Sequence, residues 1–247
     1  MEIPEDGSVA RIFYQNHHLR PTKDGALIKL EMERLKQKQV AFVALSETNN
    51  NWKSGLVKEC FRKAVSKTWE PAKFRSSTSD WKSNSIYKPG GTVTMATGRW
   101  SGRVSMAGQD PWRLGRFSYV GTKGKSGAKL LIITLYRVGA NISIKRDGPK
   151  TVHHQEWNLL RNKGVEDPNP RDQVIEDLIS FIKVNQEQEY EIILAADANE
   201  NMRALSTRNT VDEVLPMWTP HWGSINPQCG PLQHVFTRQF IPPMWYH

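Results

Sequence analysis

An aspartate and an asparagine follow directly on a short apolar run, and their side chains could share one site. Residues 192–196 are too few for another helix and too apolar for a loop, so we predict a buried strand that ends at Asp197. Alternate residues of an extended chain point the same way, so Asp197 and Asn199 could place a carboxylate and an amide in one cleft beyond the sheet edge. The same residues would also suit an ordinary turn, because Asp and Asn bond their own backbone well.

Three other predicted strands also end in a polar side chain. A short alternating run near the N-terminus ends at Asn16, an apolar run leads into Glu47, and the most strand-like run of the chain ends at Tyr136. A tyrosine in such a position is usually part of a core with its hydroxyl in water, so Tyr136 alone proves nothing. The recurrence of polar groups at strand ends is what indicates a shared site.

The elements that carry these residues are predicted to alternate as in an α/β protein. A strand over residues 10–16, a helix that begins near Asp24 and a strand over residues 40–45 imply a right-handed crossover and a parallel pair of strands. The helix should cover one face of the sheet with its apolar side chains, which are Leu27, Leu30, Met32 and Leu35. The remaining predictions are a helix over residues 55–67, a loop over 69–84, a β-meander over 92–135 with a strand at 99–103, and a helix from about residue 169.

Composition predicts an intracellular protein with a polyanionic partner. The 247 residues, 38% of them hydrophobic, can bury a sizeable core, and the formal charge of +9 favours a partner whose condensed counterions are released on binding. Two cysteines are too few for a disulfide framework or a thiolate zinc site. No apolar run approaches the roughly 20 residues that span a bilayer, and the acidic N-terminus does not look like a secretory signal.

Basic and aromatic residues interleave in the predicted meander and beside it. Such a surface could follow a phosphate backbone with occasional stacking, although an ordinary solvated antiparallel face has the same composition. The basic residues are Lys88, Arg99, Arg103, Arg113, Arg116, Lys123, Lys125 and Lys129, and the aromatic ones are Trp81, Trp100, Trp112 and Tyr119.

A set of short motifs resembles, in one order, the endonuclease/exonuclease/phosphatase superfamily, and most of all the endonuclease domains of non-LTR retroelements. The motifs are Asn16, Ser46-Glu47-Thr48, Pro89-Gly90-Gly91-Thr92, Leu114-Gly115-Arg116-Phe117, Tyr136-Arg137-Val138, Pro170-Arg171 with Asp177-Leu178, and Asp197-Ala-Asn199-Glu200. The resemblance implies a four-layer α/β/β/α sandwich of two mixed sheets with the site at the sheet edges. We expect this domain over residues 10–204, after a flexible N-terminus at residues 1–9.

The resemblance also implies a reaction, which is hydrolysis of a phosphodiester in DNA with a divalent cation, Mg²⁺ or Mn²⁺. Carboxylate and amide oxygens are suitable ligands for such a hard cation. By resemblance, Glu47 would bind the metal with help from Asn16, and Tyr136 would contact the scissile phosphate. Asp197 would orient or deprotonate the attacking water, and Asn199 would donate a hydrogen bond to the phosphate. A DNA substrate would imply a nuclear protein.

The C-terminal part departs from the family pattern. The family has an Asp-His pair on its last strand, and no Asp-His follows Asn199 here. Residues 205–247 are rich in proline and tryptophan, which argues against central strands and predicts an atypical or incomplete end of the domain. Either the chain is a truncated or frame-altered retroelement relative, which we favour, or His221 or His234 reaches the cleft by another route.

Three functions therefore stay open. The leading hypothesis is a retroelement-derived, Mg²⁺-dependent DNA endonuclease, which the loss of the C-terminal Asp-His would leave with little or no activity. The second is a catalytically inactive remnant that still binds nucleic acid. The third is a phosphatase of a small phosphoester, which the basic surface and the retroelement-like motifs make the weakest of the three.

Overall fold

The computed structural model describes residues 10–16, 25–139 and 151–199 and two further short strands. The strands are β1 (Arg11–Asn16), β2 (Val40–Ser46), β3 (Ala72–Ser77), β4 (Thr92–Thr97), β5 (Val104–Gln109), β6 (Phe117–Lys123), β7 (Lys129–Tyr136), β8 (Tyr190–Asp197), β9 (Trp218–His221) and β10 (His234–Arg238). The α-helices are α1 (Ala26–Gln37), α2 (Gly55–Thr68), α3 (Val152–Asn162) and α4 (Pro170–Glu187), and a 3₁₀-helix spans Gly98–Arg103. Across the described residues, no helix combines the length and apolar character that a membrane crossing requires.

Two mixed sheets form the centre of the protein. The first sheet has the strand order β1-β2-β4-β3, and the second has the order β5-β6-β7-β8-β10-β9. The pairs β1/β2 and β7/β8 are parallel, and the other neighbours are antiparallel. The predicted parallel pair of β1 and β2 is confirmed, with α1 as its crossover.

Three apolar clusters stack the elements in four layers. The first cluster packs α1 and α2 on the first sheet and contains Met32 and Phe61. The second lies between the two sheets, where Phe42 of β2 and Ile132 of β7 belong to one cluster. The third packs α4 on the second sheet and includes Leu178. The predicted α/β/β/α sandwich of two mixed sheets is thus confirmed.

The buried face of α1 differs from the predicted one. Ile28, Met32 and Leu35 are buried, whereas Leu27 and Leu30 are 58% and 57% exposed. Residues at i, i+4 and i+7 line one helical stripe, and Ile28, Met32 and Leu35 follow this spacing. The leucines at 27 and 30 therefore face away from the sheet, on the outer side of the helix.

Two segments of the predicted loop and meander have other structures. Residues 72–77, predicted as loop, form β3 at the edge of the first sheet, where Phe74 packs on the helix-side cluster while Lys73 and Arg75 are exposed. An edge strand with one solvated face needs few apolar residues, which is why the pattern was weak. Residues 99–103, predicted as a strand, form most of the 3₁₀-helix Gly98–Arg103 between β4 and β5.

The C-terminal part contains two strands that the sequence argued against. β10 pairs antiparallel with β8 on one side and with β9 on the other. Pro220 lies on β9, the edge strand, where a missing N–H is tolerated, whereas β10 contains no proline. The backbone of His234 pairs with Ala196, so β10 begins beside the end of β8. Residues 1–9 lie outside the described part of the chain.

Candidate active site

Three side chains from the ends of three strands meet in an acidic cluster, which consists of Asn16, Glu47 and Asp197. The amide nitrogen of Asn16 donates to Glu47 Oε2 at 2.8 Å and to Asp197 Oδ2 at 2.6 Å. Asn16 and Glu47 come from the first sheet, whose parallel strands β1 and β2 end together, and Asp197 comes from β8 of the second sheet. The cluster therefore forms where equivalent edges of the two stacked sheets come together.

The backbone at Glu47 is held by two glycines. Glu47 and Asn49 have positive φ angles of 50° and 54°. Asn49 N donates to Gly90 O at 2.8 Å, and Gly90 N donates back to Asn49 Oδ1 at 2.9 Å. Gly91 has a φ of 82°, and a Cβ at this position would lie only 2.9 Å from Ser77 O. The Gly-Gly motif thus supports a strained turn that aims Glu47 at the cluster.

Tyr136 lies next to Asp197 in the parallel register of β7 and β8. Its N–H donates to Arg116 O at 2.8 Å. Its ring carbons would be 3.3 and 3.4 Å from a Cβ at Gly90, so this glycine leaves room for the ring. Burial, followed by the negative charges of Glu47 and Asp197, raises the pKa of Tyr136. The phenol therefore stays protonated and can donate a hydrogen bond.

Asp197 is 2% exposed and has an unusual protonation equilibrium. Burial raises its pKa to about 6, the backbone N–H of Asn199 and the amide of Asn16 lower it, and the charge of Glu47 raises it. Within the described ranges, neither Glu47 nor Asp197 has a Lys, Arg or His side chain at ion-pair distance. Two adjacent carboxylates without a cationic partner favour the uptake of a proton or of a metal ion.

Asn199 is exposed and closes a turn after β8. Its N–H donates to Asp197 Oδ1 at 3.2 Å, and its side-chain Nδ2 donates to Arg137 O at 2.6 Å. Asp197 therefore belongs both to a turn and to the acidic cluster. Its Oδ1 accepts from the backbone of the turn, and its Oδ2 accepts from Asn16. An amide nitrogen has two hydrogens, so the bond to Arg137 accounts for one of them.

The donor set of the acidic cluster fits a hard cation such as Mg²⁺. Mg²⁺ usually binds through one or two carboxylates and completes its shell with water and substrate phosphates. Glu47 and Asp197 supply two carboxylates, although no group of three His, Cys, Asp or Glu side chains in the described residues converges on one point. Asn16 presents its nitrogen to both carboxylates, so it would have to rotate its amide to act as a ligand through oxygen.

Two of the motifs that resemble the family also contact each other, in a second cluster around Arg116, whose carbonyl accepts from the N–H of Tyr136. This ion-pair cluster consists of Asp110, Arg116 and Asp177. Arg116 donates to Asp110 from Nε at 2.7 Å and from Nη2 at 2.9 Å, and its Nη2 is 2.7 Å from Asp177 Oδ2. Sequence reasoning missed Asp110. The one feature of the sequence that could have indicated it is its position shortly before the Leu-Gly-Arg-Phe motif.

A tyrosine that sequence reasoning also missed supports the first sheet's part of the site. The hydroxyl of Tyr14 on β1 lies 2.9 Å from Ser46 Oγ at the end of β2. Burial raises the pKa of Tyr14, with smaller contributions from the charges of Asp197 and Glu47. Its position two residues before Asn16 places it on the same face of the strand, a relation that the alternation of β1 could have indicated.

Two of the basic residues predicted for a phosphate-following surface are buried. Arg116 is 0% exposed in the ion-pair cluster, and Lys88 is 2% exposed. The Lys88 ammonium donates to Ser79 O at 2.7 Å and to Trp81 O, and burial lowers its pKa to about 8. Both residues stabilise the fold behind the site and do not form part of a solvated basic face.

Solved structures place this architecture among known proteins. No protein-family model matches the sequence, and no curated protein matches it. The structure is similar to the catalytic domain of human Nocturnin, with 12% identity and a TM-score of 0.52 over 87% of this chain and 75% of that one. It is also similar to a mannosyl-6-phosphatase of Bacteroides thetaiotaomicron, with 10% identity and a TM-score of 0.53 over 93% of this chain and 85% of that one. An endonuclease/exonuclease/phosphatase family protein of the same organism is 10% identical, with a TM-score of 0.52 over 93% of this chain and 80% of that one. The chain therefore has the fold of endonuclease/exonuclease/phosphatase proteins.

Proposed function

We propose that this chain is a Mg²⁺-dependent phosphodiester hydrolase of the endonuclease type, which acts on DNA and derives from a non-LTR retroelement. The observation that carries the proposal is the acidic cluster, in which one Asn16 amide holds the carboxylates of Glu47 and Asp197 at 2.8 and 2.6 Å beside the phenol of Tyr136. Carboxylates without a cationic partner, next to a protonated donor, suit a metal-assisted attack on a phosphate.

The residues of the acidic cluster, together with Tyr136 and Asn199, have different roles in this reaction. Glu47 would hold the cation with the help of Asn16, and a cation there would offset negative charge on the phosphoryl oxygens. Asp197 orients the attacking water and takes its proton, and a pKa of about 6 suits a general base near neutral pH. Tyr136 donates a hydrogen bond to a phosphate oxygen, and Asn199 donates a second one with its remaining amide hydrogen.

The charge of the chain supports nucleic acid as the substrate. The formal charge of +9 favours a polyanion, because basic residues that neutralise phosphates release condensed counterions. The retroelement-like order of the motifs favours DNA over RNA and over a small phosphoester. A DNA substrate in turn favours a nuclear protein.

A catalytically inactive remnant that binds nucleic acid is the second candidate. It is favoured by the lack of an Asp-His sequence after Asn199, since losing a general acid or base costs roughly 10² to 10⁴ in rate. His234 is the residue best placed to replace the missing histidine, because its backbone pairs with Ala196 beside the end of β8.

A plasmid-nicking assay separates these candidates. The wild-type protein should nick supercoiled DNA with Mg²⁺, and Glu47→Gln and Asp197→Asn should each lose at least a hundredfold in rate, roughly the contribution of a general base. Glu59→Gln removes an exposed carboxylate on α2 and serves as the matched control. Equal nicking by all four proteins would refute the catalytic assignment.

The remaining outcomes assign the other functions. A wild-type protein that binds DNA but does not nick it would identify the inactive remnant. Release of phosphate from a soluble phosphoester, with the plasmid left intact, would identify a phosphatase. His234→Ala, compared with His221→Ala, tests whether the histidine on β10 contributes to any cleavage.

A further inference from the structure

A second cavity lies beside the candidate active site, at the edge strand of the first sheet. It has a volume of about 230 Å³. Its walls come from the start of α2, from β3 and from the end of β5. Three basic residues line it, Lys53, Lys58 and Arg75, and we therefore call it the basic cavity. The aromatic residues Trp52 and Phe74 also line it.

The basic cavity carries uncompensated positive charge. Lys53 Nζ lies 2.7 Å from Asp80 Oδ1, so that pair is neutral. Within the part of the chain that the structure describes, Lys58 and Arg75 form no ion pair with a carboxylate. Two cationic side chains thus face the cavity without an acidic partner, the reverse of the charge pattern at Glu47 and Asp197.

The dimensions and the other walls suit one anionic group of a larger molecule. Pockets for whole drug-sized ligands measure roughly 300–1,000 Å³, and this cavity is smaller. Ser76 and Thr78 add hydroxyl groups to the lining, and Arg75 offers the planar fork that matches phosphate oxygens. The indole N–H of buried Trp52 donates to Thr48 Oγ1 at 2.9 Å, which fixes the ring as an apolar wall.

The basic cavity lies at the same edge of the first sheet as Glu47. β3 and β2 are both antiparallel to β4, so their C-terminal ends lie together. Two strand spacings separate them, which is about 10 Å. A flexible single strand can therefore present one phosphate to Glu47 and Asp197 and a nearby phosphate to the basic cavity.

We propose that the basic cavity binds a backbone phosphate near the cut in a nucleic-acid strand whose scissile phosphate lies at Glu47 and Asp197. The proposal rests on the proposed function and adds a substrate contact to it. Lys58 and Arg75 bind the phosphate, and the partly exposed Phe74 packs against the neighbouring sugar.

Metal-free binding to a single-stranded dodecanucleotide tests the contact without any need for cleavage. The variant Lys58→Gln with Arg75→Gln should bind roughly tenfold more weakly than wild type, and the slope of log affinity against log salt should fall by about 0.7. Lys36→Gln with Lys38→Gln removes the same charge at the opposite edge of the sheet and is the matched control. Thermal unfolding verifies that both double variants are folded.

Equal weakening by the two double variants would overturn the proposal, because it would show a non-specific charge effect. Inorganic phosphate that competes with the dodecanucleotide at comparable concentration in wild type would also overturn it, since the cavity would then serve a small free anion. These outcomes leave the nicking assay untouched, so failure here is distinguishable from failure of the proposed function.

If the protein cleaves DNA, uncharged linkages in the substrate can show which phosphate the basic cavity contacts. Replacing single phosphates by methylphosphonates should slow wild-type cleavage about tenfold at one position near the cut. Cleavage by the double variant of the basic cavity, Lys58→Gln with Arg75→Gln, should not change with that replacement. Equal sensitivity of the two proteins would refute the assignment.

Discussion

Two charged clusters lie near the C-terminal ends of β7 and β8, and they are balanced in opposite ways. In the ion-pair cluster, the fully buried Arg116 meets Asp110 through hydrogen bonds of 2.7 and 2.9 Å and lies 2.7 Å from Asp177. In the acidic cluster, Glu47 and Asp197 share only the neutral amide of Asn16 within the described chain. The first cluster contains its own counter-charge, and the second does not.

This difference predicts a structural role for the ion-pair cluster and a binding role for the acidic cluster. A buried charge that is paired and hydrogen-bonded is costly to disturb, because the partner that remains has no solvent. Neighbouring carboxylates without a cation store repulsion that a ligand can relieve. The comparison predicts opposite responses to the removal of a carboxylate.

The largest effect should follow from Asp110→Ala. This change leaves Arg116 buried without its bidentate partner, and the free energy of unfolding should fall by about 3–5 kcal/mol. Urea titration measures the loss. Glu59→Ala, which breaks an exposed ion pair with Arg62 on α2, is the control and should leave the midpoint within experimental error. Equal losses in the two variants would remove the distinction between the clusters.

Asp197→Asn should have the opposite sign and depend on pH. The folded pKa of Asp197 is about 6, above its unfolded value, so its contribution to stability is complete below about pH 4 and is lost as pH rises through 6. In metal-free buffer the variant should gain up to about 3 kcal/mol over wild type between pH 4 and 7. Urea titrations across this range measure the difference, and a constant difference would contradict the shift.

Mg²⁺ should stabilise the wild type and not a variant of the acidic cluster. A ligand that binds only the folded state adds about 2.7 kcal/mol to the free energy of unfolding at a hundred times its Kd. Thermal unfolding with and without Mg²⁺ measures this, and Glu47→Gln should abolish it. Asp177→Asn should retain the response, since it alters only the ion-pair cluster. An equal response in both variants would place the metal elsewhere.

The smallest effect on stability should come from Asn199→Ala. Its exposed side chain loses one bond to Arg137 O, which is worth about 0.5 kcal/mol. If Asn199 donates to the phosphate, nicking should nevertheless slow by roughly a hundredfold. Asn158→Ala breaks a comparable bond to His154 O within α3 and is the control, with no effect expected on nicking.

Strand ends were predictable from the sequence, because a buried strand is an apolar run and a polar group after it marks its exit. Asn16, Glu47 and Asp197 were found in this way, and the structure brings them within hydrogen-bond distance. Their roles stay predictions. The resemblance also supplied the sandwich, which no single strand pattern could have indicated.

Contacts across the fold could not be predicted in the same way. The partner of Arg116 depends on how α4 and the loop before β6 pack, and nothing local to Arg116 indicates Asp110. Leu27 and Leu30 fit a helical stripe as well as Ile28 does, so periodicity alone could not decide the buried face of α1. The short β10 was obscured because the segments around it are rich in proline.

The bond between Asn16 and Asp197 joins residues 181 positions apart. During synthesis, the first sheet can begin to form long before the second strand end of the acidic cluster has left the ribosome. A growing chain therefore carries Glu47 for most of its translation without the second carboxylate. The acidic cluster therefore becomes complete only after β8 has emerged, late in the synthesis of the described chain.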